Sequence, residues 1–421
     1  MIGLLRQYAP EYVLRHSREA VPQVQSTLAK LSLCRTAALG GHRYRCGACD
    51  GECLVYNSCG DRHCPQCSGA KRADWLDATA ELLLPDIDYF QVVFTIPEQL
   101  SSLSLGNRRA IYELLFRSAW QSLRTVIEEE QEFEPSAAMV LHTWNQKLEP
   151  HIHVHAVVPG GGPSRSGERR WVRSCRRDAP HLAAAYLVNA DALRQQFRQA
   201  FLEGLRRLHR RGELKLEGDW SLLQSASAFK AWLKPLETVS WVTYIEPPPT
   251  ENSSPEHVLK YLARYLTGGP ISDRRLTSHE HGRVTFLARS GTTPGGGNGE
   301  CLPHTVTGIE FVRRWSQHIL PKGFVKTRRY GGYSPLHRQR YLAECRELLA
   351  TASMASVVPP TEPAIETPVL PETILAVKSV EPQCPKCGGP MLCIAAEERP
   401  GWYQVMNGEH RPSWYIRYDS S

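Results

Sequence analysis

Several features of other protein classes are missing from this sequence of 421 residues. It contains no run of about eighteen apolar residues, so no membrane-spanning helix is predicted. Its start, MIGLLRQYAPEYVLRHSREA, lacks the layout of a signal or transit peptide, and we therefore expect a cytoplasmic protein. No Walker A motif is present, which argues against an attached helicase. A net charge of +7 is by itself only a weak indication of a polyanionic partner.

Cysteine, in contrast, is abundant. The chain has 13 cysteines, and seven of them fall between Cys34 and Cys67. Without an export signal, such clustering favours metal binding over disulfides. The motifs CGAC at 46–49 and CPQC at 64–67 are two C-x2-C knuckles, and four thiolates at this spacing can surround one zinc and leave no position open for catalysis. The predicted ligands of this structural zinc are Cys46, Cys49, Cys64 and Cys67.

Further candidate ligands lie near these knuckles. A second zinc site can be drawn from four residues, although they can also be read as small core residues and a capping histidine. These four are Cys34, His42, Cys59 and His63. Far along the chain, CPKC at 384–387 has only Cys393 as a nearby thiol. The sequence therefore leaves open whether this third knuckle is a filled, a partly ligated or a vestigial zinc site.

The stretch EPHIHVHAVVPGGG, residues 149–162, places His151, His153 and His155 at alternate positions. Alternation is the period of a β-strand, so the three imidazoles leave one face while Ile152 and Val154 enter a core on the other. A row of histidines on one strand face favours a shared divalent metal, and a polar, solvated face is the alternative.

The rest of the pattern alternates strands and helices. Apolar runs bounded by turn residues predict strands at YFQVVFTIP, AAMVLHTW, HIHVHAVV and SWVTYIEPP, and the second and third of these form an antiparallel hairpin. Helical spacing covers 106–130, the basic segment ADALRQQFRQAFLEGLRRLHRRGEL and SPEHVLKYLARYLTG. This order predicts an α+β protein, in which helices pack on one or both faces of a small antiparallel sheet.

Composition divides the chain into four parts. A hydrophobic content of 42% and a charged content of 22% are typical of a soluble protein, and the length suffices for two or three domains. The predicted parts are a helical and zinc-binding domain at 1–85, a catalytic domain with a basic C-terminal part at 86–350, a Pro-rich linker at 351–383, and a small segment with the third knuckle at 384–421.

Tyr261 and Tyr265 lie four residues apart in SPEHVLKYLARYLTG, hence on one face of the predicted helix. Most such pairs are core or surface aromatics. Beside a histidine-bound metal, however, a tyrosine oxygen can attack a phosphodiester whose developing charge the metal offsets. Two tyrosines would permit two successive strand transfers, and His257, one helical turn before Tyr261, could reach the same metal.

Four blocks of the sequence carry a resemblance to a known family. They are FTIPEQL; LHTWNQKLEPHIHVHAVVPGGG; YLARYLTGGPISDRRL with GRVTFLARS; and FVRRWSQHILPKGFVKTRRYGGYSP. In this order they resemble blocks of the IS91-type insertion-sequence transposases, and CRTAALGGHRYRC with NSCGDRHCPQC resembles the zinc-binding domain of that family. The family belongs to the HUH endonucleases (His-hydrophobic-His), which share a Rep-like, ferredoxin-type sheet.

The resemblance implies an activity and its residues. His153 and His155 would bind the catalytic metal, Mg²⁺ or Mn²⁺, on a central strand, and Tyr261 and Tyr265 would be the nucleophiles. The enzyme would nick single-stranded DNA at an element end, become linked to its 5′ phosphate and join it to target DNA, in a rolling-circle-like transposition. The glycines after the histidine strand would let a DNA strand pass close to the backbone.

The sequence leaves open the third metal contact and the exact class of protein. The third metal contact is either His257, at a position where the family more often has glutamine, or His151. A replication initiator or relaxase would use the same chemistry as the transposase. A zinc-dependent hydrolase of a small molecule, or a zinc-dependent DNA-binding protein without catalysis, would not need the tyrosines.

A basic stretch runs from Phe311 to Arg340, with eight Lys or Arg residues and no acidic residue. Six of these cations lie among aromatic side chains, a mixture suited to phosphate contact and base stacking. A solvated surface above core aromatics is the alternative. The predicted DNA-binding residues are Arg313, Arg314, Lys322, Lys326, Arg328 and Arg329.

Overall fold

The structure is a computed structural model that describes residues 1–67, 78–176, 185–248, 269–289, 299–355 and 382–407. It divides the chain into two units, Met1–Lys71 together with Val358–Ser421, and Arg72–Val357. Among the described residues, no helix combines the length and the apolar character needed to cross a membrane.

The first unit combines a helix pair with a three-stranded sheet. Its elements are α1 (Ile2–Arg15), α2 (Pro22–Ser32), β1 (Gly41–Cys46), β2 (Glu52–Tyr56), a C-terminal strand (Met391–Glu397) and a short C-terminal helix (Trp402–Met406). The two longer helices pack together because each buries an apolar face, with Leu5 in α1 and Leu28 in α2. β1 lies between β2 and the C-terminal strand and is antiparallel to both. The segment 384–421 thus supplies an edge strand to the N-terminal sheet.

The second unit contains the longer strands and helices. In chain order its strands are β3 (Tyr89–Thr95), β4 (Ser136–Trp144), β5 (Pro150–Pro159), β6 (Gly161–Pro163), β7 (Trp171–Arg173), β8 (Val242–Glu246), β9 (Leu276–Glu280), β10 (Arg283–Arg289), β11 (Cys301–Thr307) and β12 (Thr327–Gly331). Its helices are α3 (Ser101–Gly106), α4 (Arg108–Glu130), α5 (Ala190–Arg210), α6 (Ala226–Leu233), α7 (Gly308–Ser316) and α8 (Arg338–Ala355).

A five-stranded antiparallel sheet in the order β12-β4-β5-β3-β8 is the centre of this unit. On one face, Ile152, Val154 and Ala156 of β5 join a core that also contains residues of α4 and α5, such as Phe116 and Phe201. All five are almost fully buried. Burial of a large apolar side chain contributes about 1.5–3 kcal/mol, so this core fixes β5 in the sheet.

The opposite face of the sheet is covered in part. Near one end of β5, Val157 packs with Ala138 and Val140 of β4 beneath Tyr341 and other residues of α8. Towards the other end, the side chains that follow on the same face are histidines. The histidine strand β5 is therefore held by the core on the other face of the sheet and by the packing of α8 near one of its ends.

Several sequence predictions are confirmed in the second unit. The arrangement is α+β with antiparallel sheets, the helix expected over 106–130 is α4, and AAMVLHTW and HIHVHAVV form the β4–β5 hairpin. The predicted helix SPEHVLKYLARYLTG lies outside the described residues, as does most of the predicted linker. α8 continues to Ala355, past the start of that linker.

The glycines after the histidine strand do not leave room for DNA, and that expectation is wrong. Gly160, Gly161 and Gly162 are buried. A Cβ atom on Gly161 would lie 2.5 Å from the carbonyl oxygen of Val172, and one on Gly162 would lie 2.7 Å from that of Glu134. The absence of side chains lets the protein's own backbone segments pack closely, including the β6–β7 pair.

Candidate functional site

Three histidines from two neighbouring strands converge on one face of the sheet. They are His142 of β4 and His153 and His155 of β5, and one ring nitrogen of each lies within 4.8 Å of the others. The register explains the cluster, because His142 is paired directly with His153 across the hairpin. The side chains are 6%, 9% and 8% exposed, respectively. Ring centroids are 5.3 Å apart for His142 and His153, and 4.7 Å apart for His142 and His155.

The protonation of these histidines suits metal binding. Nδ1 of His153 lies 2.9 Å from the carbonyl oxygen of His151, and since a carbonyl only accepts, Nδ1 carries the proton and Nε2 keeps its lone pair. Burial, followed by the neighbouring His155 and His151, holds the pKa of His153 well below its usual value. Burial and then the charge of Lys326 lower the pKa of His155 to about 4. Both imidazoles are therefore neutral at neutral pH, the state in which they bind metals.

Aromatic and basic side chains border the cluster. The ring of Trp144 stacks on His142 with centroids 4.8 Å apart, and Nζ of Lys326 lies 5.1 Å from the Trp144 ring centroid. Behind Trp144, the buried His318 donates from Nε2 to the Leu148 carbonyl at 3.1 Å and accepts from the Thr143 hydroxyl at 3.1 Å. These two bonds fix the end of β4 and the turn that leads to β5.

The cluster differs in one member from the predicted metal site. His153 and His155 are brought together as predicted, but His151 is exposed and is not part of the three-nitrogen group. His142 was missed by the sequence analysis. The sequence could have indicated it, because a register of the predicted hairpin that places LHTW opposite the histidine strand brings His142 next to His153. His257, Tyr261 and Tyr265 lie outside the described residues.

The first unit gathers eight cysteines into two groups of four. The first group is Cys34, Cys59, Cys64 and Cys67, and the second is Cys46, Cys49, Cys384 and Cys387. In the first group, Sγ of Cys67 lies 3.4 Å from that of Cys34 and 3.6 Å from that of Cys59. Four sulfurs bound to zinc at about 2.3 Å are about 3.8 Å apart, whereas a disulfide is about 2.05 Å long, so the spacing fits a metal site.

The predicted grouping of the cysteines is therefore wrong. The β1–β2 hairpin separates the two knuckles, because Cys46 and Cys49 lie at its turn while Cys34 and Cys59 flank its open end. The five residue steps from Gly41 to Cys46 amount to about 17 Å at about 3.3 Å per residue. CGAC therefore cannot share an ion with CPQC, and it meets the third knuckle instead.

His42 and His63 are not in either cysteine group, contrary to the predicted second zinc site. Nδ1 of His63 lies 2.9 Å from Oδ1 of Asp61, and the ring of His42 lies beside that of Tyr44. Cysteines occupy all four corners of each group, so no histidine is needed.

Comparison with known proteins decides the family. A family model described as "Putative transposase" matches residues 137–340, and one described as "Transposase zinc-binding domain" matches residues 4–96. The putative transposase y4qJ of Sinorhizobium fredii is 37% identical over 349 residues, which are 82% of this chain and 83% of that protein. The chain belongs to the IS91-type transposases. The transposase for insertion sequence element IS801 of Pseudomonas savastanoi pv. phaseolicola is 27% identical over 376 residues, 88% of this chain and 83% of that protein. No solved structure matches.

The two matched regions cover the sites of this transposase unequally. The transposase match contains all three clustered histidines and the sequence of the tyrosine pair. The zinc-binding match contains the whole first cysteine group but only Cys46 and Cys49 of the second. In this chain the region that matches the zinc-binding domain thus holds none of the clustered histidines.

The basic stretch of the transposase has many contacts within the protein. Arg313 and Arg314 bind Glu310 at 2.6 and 2.7 Å, and these bonds, that of Arg313 first, lower the pKa of Glu310 to about 2. The guanidinium of Arg328 lies 4.5 Å from the ring centroid of Phe116, and that of Arg329 donates to the Ala78 carbonyl at 2.8 Å.

The other members of the basic stretch differ in exposure. Lys322 is exposed, and Lys326 is half-buried beside the histidine cluster. Trp315, Phe324 and Tyr333 are buried. Stacking of DNA bases on these three rings would need a rearrangement, whereas the exposed Lys322 can meet phosphate without one.

Proposed function

We propose that this transposase is an HUH endonuclease that nicks and joins single-stranded DNA at insertion-sequence ends through a 5′-phosphotyrosine intermediate. It would act in the bacterial cytoplasm, by rolling-circle-like transposition into target DNA. The observation that carries the proposal is the cluster of His142, His153 and His155 on the central strands of an antiparallel sheet. The match of residues 137–340 to a transposase family supports it.

His142, His153 and His155 are proposed to hold the catalytic ion. Three imidazole ligands would leave coordination positions for phosphate oxygens, and a donor set of nitrogens favours a transition-metal ion such as Mn²⁺ over Mg²⁺, which prefers oxygen ligands. When bound, the ion would polarise the scissile phosphate and offset its charge. The protein's part is to bury the three rings, which keeps His153 and His155 neutral, and to orient the ring of His153 through its hydrogen bond to the His151 carbonyl.

Tyr261 and Tyr265 are proposed as the nucleophiles. The phenolic oxygen would attack phosphorus, the bond between phosphorus and the 3′ oxygen would break, and the released 3′ oxygen would take up a proton. The 5′ phosphate would remain on tyrosine until a 3′ hydroxyl of another strand attacks it and frees the phenol.

The sheet order supports this assignment. β8 is the second strand away from β5, about 10 Å at about 4.8 Å per strand, and it ends at Glu246, fifteen residues before Tyr261. Tyr244 of β8 is on the same face of the sheet as the histidines, because it pairs with Val93, which pairs with His155. β8 thus runs alongside the histidine cluster and ends level with Val157, two residues beyond His155, before the chain reaches the tyrosine pair.

Single-stranded DNA from the element's own ends tests the proposal. We expect the parent enzyme with Mn²⁺ to give a protein–DNA product that survives denaturant, and the Tyr261→Phe/Tyr265→Phe variant to give none, since only the two nucleophilic oxygens are removed. Each single variant should block complete transposition, while at least one still makes a single nick. Tyr244→Phe is the matched control and should behave as the parent.

Two results would contradict the mechanism. A denaturant-stable product from the double variant would exclude both tyrosines as the attachment site. Full transposition by either single variant would make that tyrosine structural and the enzyme a one-tyrosine type.

A further inference from the structure

The CGAC and CPKC knuckles have the same local geometry, although they are 335 residues apart. In CGAC, the backbone N–H of Ala48 donates to Sγ of Cys46 at 3.4 Å. In CPKC, the backbone N–H of Lys386 donates to Sγ of Cys384, also at 3.4 Å. In both loops the donor is two residues after the first cysteine. Such N–H groups stabilise a thiolate, which is the form that binds metal.

The residues that follow each knuckle repeat the correspondence. Asp50 and Gly388 come directly after the second cysteine, and both have a left-handed backbone, with φ of 51° and 71°. Aspartate is among the few non-glycine residues enriched in that conformation, so both loops can take the same shape at this position. The N–H of Cys46 donates to the carbonyl of Gly51 at 2.8 Å, and the N–H of Cys384 donates to that of Gly389 at 2.8 Å.

The four sulfurs face one another across the two loops. Sγ of Cys46 lies 3.5 Å from that of Cys387, and Sγ of Cys49 lies 3.6 Å from that of Cys384. These contacts are close to the separation of about 3.8 Å between sulfurs on one zinc and far from a disulfide bond. Gly389 lies between the two loops, since a Cβ atom there would be 3.2 Å from Cβ of Ala48 and in van der Waals contact with Sγ of Cys46 and of Cys387.

The strands behind the loops hold the two knuckles in register. β1 runs into Cys46, and its partner, the C-terminal strand, begins at Met391, directly paired with Cys46. Cys46, Cys384 and Met391 form a small buried cluster. Two knuckles and a three-stranded sheet thus make one ribbon from distant parts of the sequence.

We propose that Cys46, Cys49, Cys384 and Cys387 bind a second structural zinc ion that joins the C-terminal segment to the N-terminal zinc-binding domain. The site is separate from the first cysteine group and lies only half within the region that matches the zinc-binding family. It follows that the N-terminal domain is complete only when residues 384–397 are present. The inference does not depend on the nicking chemistry.

Metal content of the full-length protein tests the site. The parent purified with zinc should hold an ion in each of the two cysteine groups. The Cys384→Ser/Cys387→Ser variant should hold one zinc ion fewer than the parent, and so should Cys59→Ser/Cys64→Ser. The matched control is Cys393→Ser, which removes an exposed cysteine of the C-terminal strand and should keep the parental zinc content. Parental zinc content in Cys384→Ser/Cys387→Ser would overturn the proposal.

A second measurement covers the case in which that variant fails to fold. A protease site inserted between residues 356 and 381 of the otherwise unchanged protein allows the C-terminal segment to be cut free after folding. We expect the fragment to stay bound through zinc and to be released by a chelator. Separation of the fragment before chelation would overturn the proposal, and so would retention after zinc has been removed and measured to be absent.

Discussion

Replacing His142 by phenylalanine should weaken Mn²⁺ binding strongly without unfolding the protein. His142 is 6% exposed and stacks on Trp144 with ring centroids 4.8 Å apart. Phenylalanine keeps an aromatic ring of similar size in that position and removes both nitrogens. The variant therefore isolates the contribution of His142 as a ligand from its contribution to packing.

The magnitude follows from the composition of the site. His142 is one of three nitrogen donors in the cluster. Losing a group that only hydrogen-bonds a metal ligand costs about 10–100-fold in metal affinity, so losing a ligand should cost at least that much. The corresponding binding free energy is at least about 1.4–2.8 kcal/mol. Raising the Mn²⁺ concentration by a factor similar to the loss of affinity should restore part of the nicking activity of the variant.

The matched control is His151→Phe. His151 is on the same strand face but is exposed, and its carbonyl, which orients His153, is unaffected by the side chain. Free Mn²⁺ measured by electron paramagnetic resonance during titration gives the affinity of each variant, and thermal unfolding checks that each is folded. If His142→Phe bound Mn²⁺ as the parent does, or if His151→Phe caused the larger loss, His142 would not be the third contact.

Three further predictions address the frame around the site. Gly331 has a φ of 60°, and a Cβ atom there would lie 2.0 Å from a carbonyl oxygen, so Gly331→Ala should lower the free energy of unfolding by about 1–3 kcal/mol or more. Gly106→Ala is the control, because a Cβ atom at Gly106 meets open space, and urea unfolding of the two variants compares them. Burial lowers the pKa of His318 to about 4, so the unfolded chain binds more protons than the folded one between about pH 6.5 and 4, and stability falls on acidification through that window. Between pH 7 and 5 the free energy of unfolding should therefore fall by about 2 kcal/mol more in the parent than in His318→Gln, measured by the same urea unfolding. Lys322→Ala should reduce the salt dependence of DNA affinity without changing the unfolding temperature, because Lys322 is exposed. Arg328→Ala should reduce the salt dependence and also lower the unfolding temperature, because Arg328 lies over the ring of Phe116. An equal change of the unfolding temperature in both variants would refute this distinction.

Local patterns were sufficient to predict much of the second unit. The alternation of His153 and His155 with Ile152 and Val154 predicted both the strand and its buried face, since each face of a strand is fixed by parity. The periodicity of 106–130 predicted α4 because one side of that helix is buried. Neither inference needs information about distant residues.

Pairings between segments could not be predicted in the same way. His142 joins the histidine cluster through the hairpin register, which depends on the turn between Trp144 and Pro150 and on a local irregularity in the pairing. The cysteine grouping failed for a similar reason, since spacing alone favoured CGAC with CPQC. What decides the grouping is the length of β1, which moves Cys46 away from Cys34, and the pairing with a strand more than 300 residues later.

The sheet also explains why the histidines can act as a preformed site. A metal site needs its ligands held within about 0.5 Å of the productive geometry, and ligands on strands are held more firmly than ligands on loops. Ile152, Val154 and Ala156 alternate with the histidines and are locked into the core behind the sheet, so β5 cannot slide by one residue without exposing that whole apolar set. One ring nitrogen of each imidazole already lies within 4.8 Å of the other two. Because the apolar side fixes the strand, a phosphate that reached the proposed ion would not need to reorder the ligands.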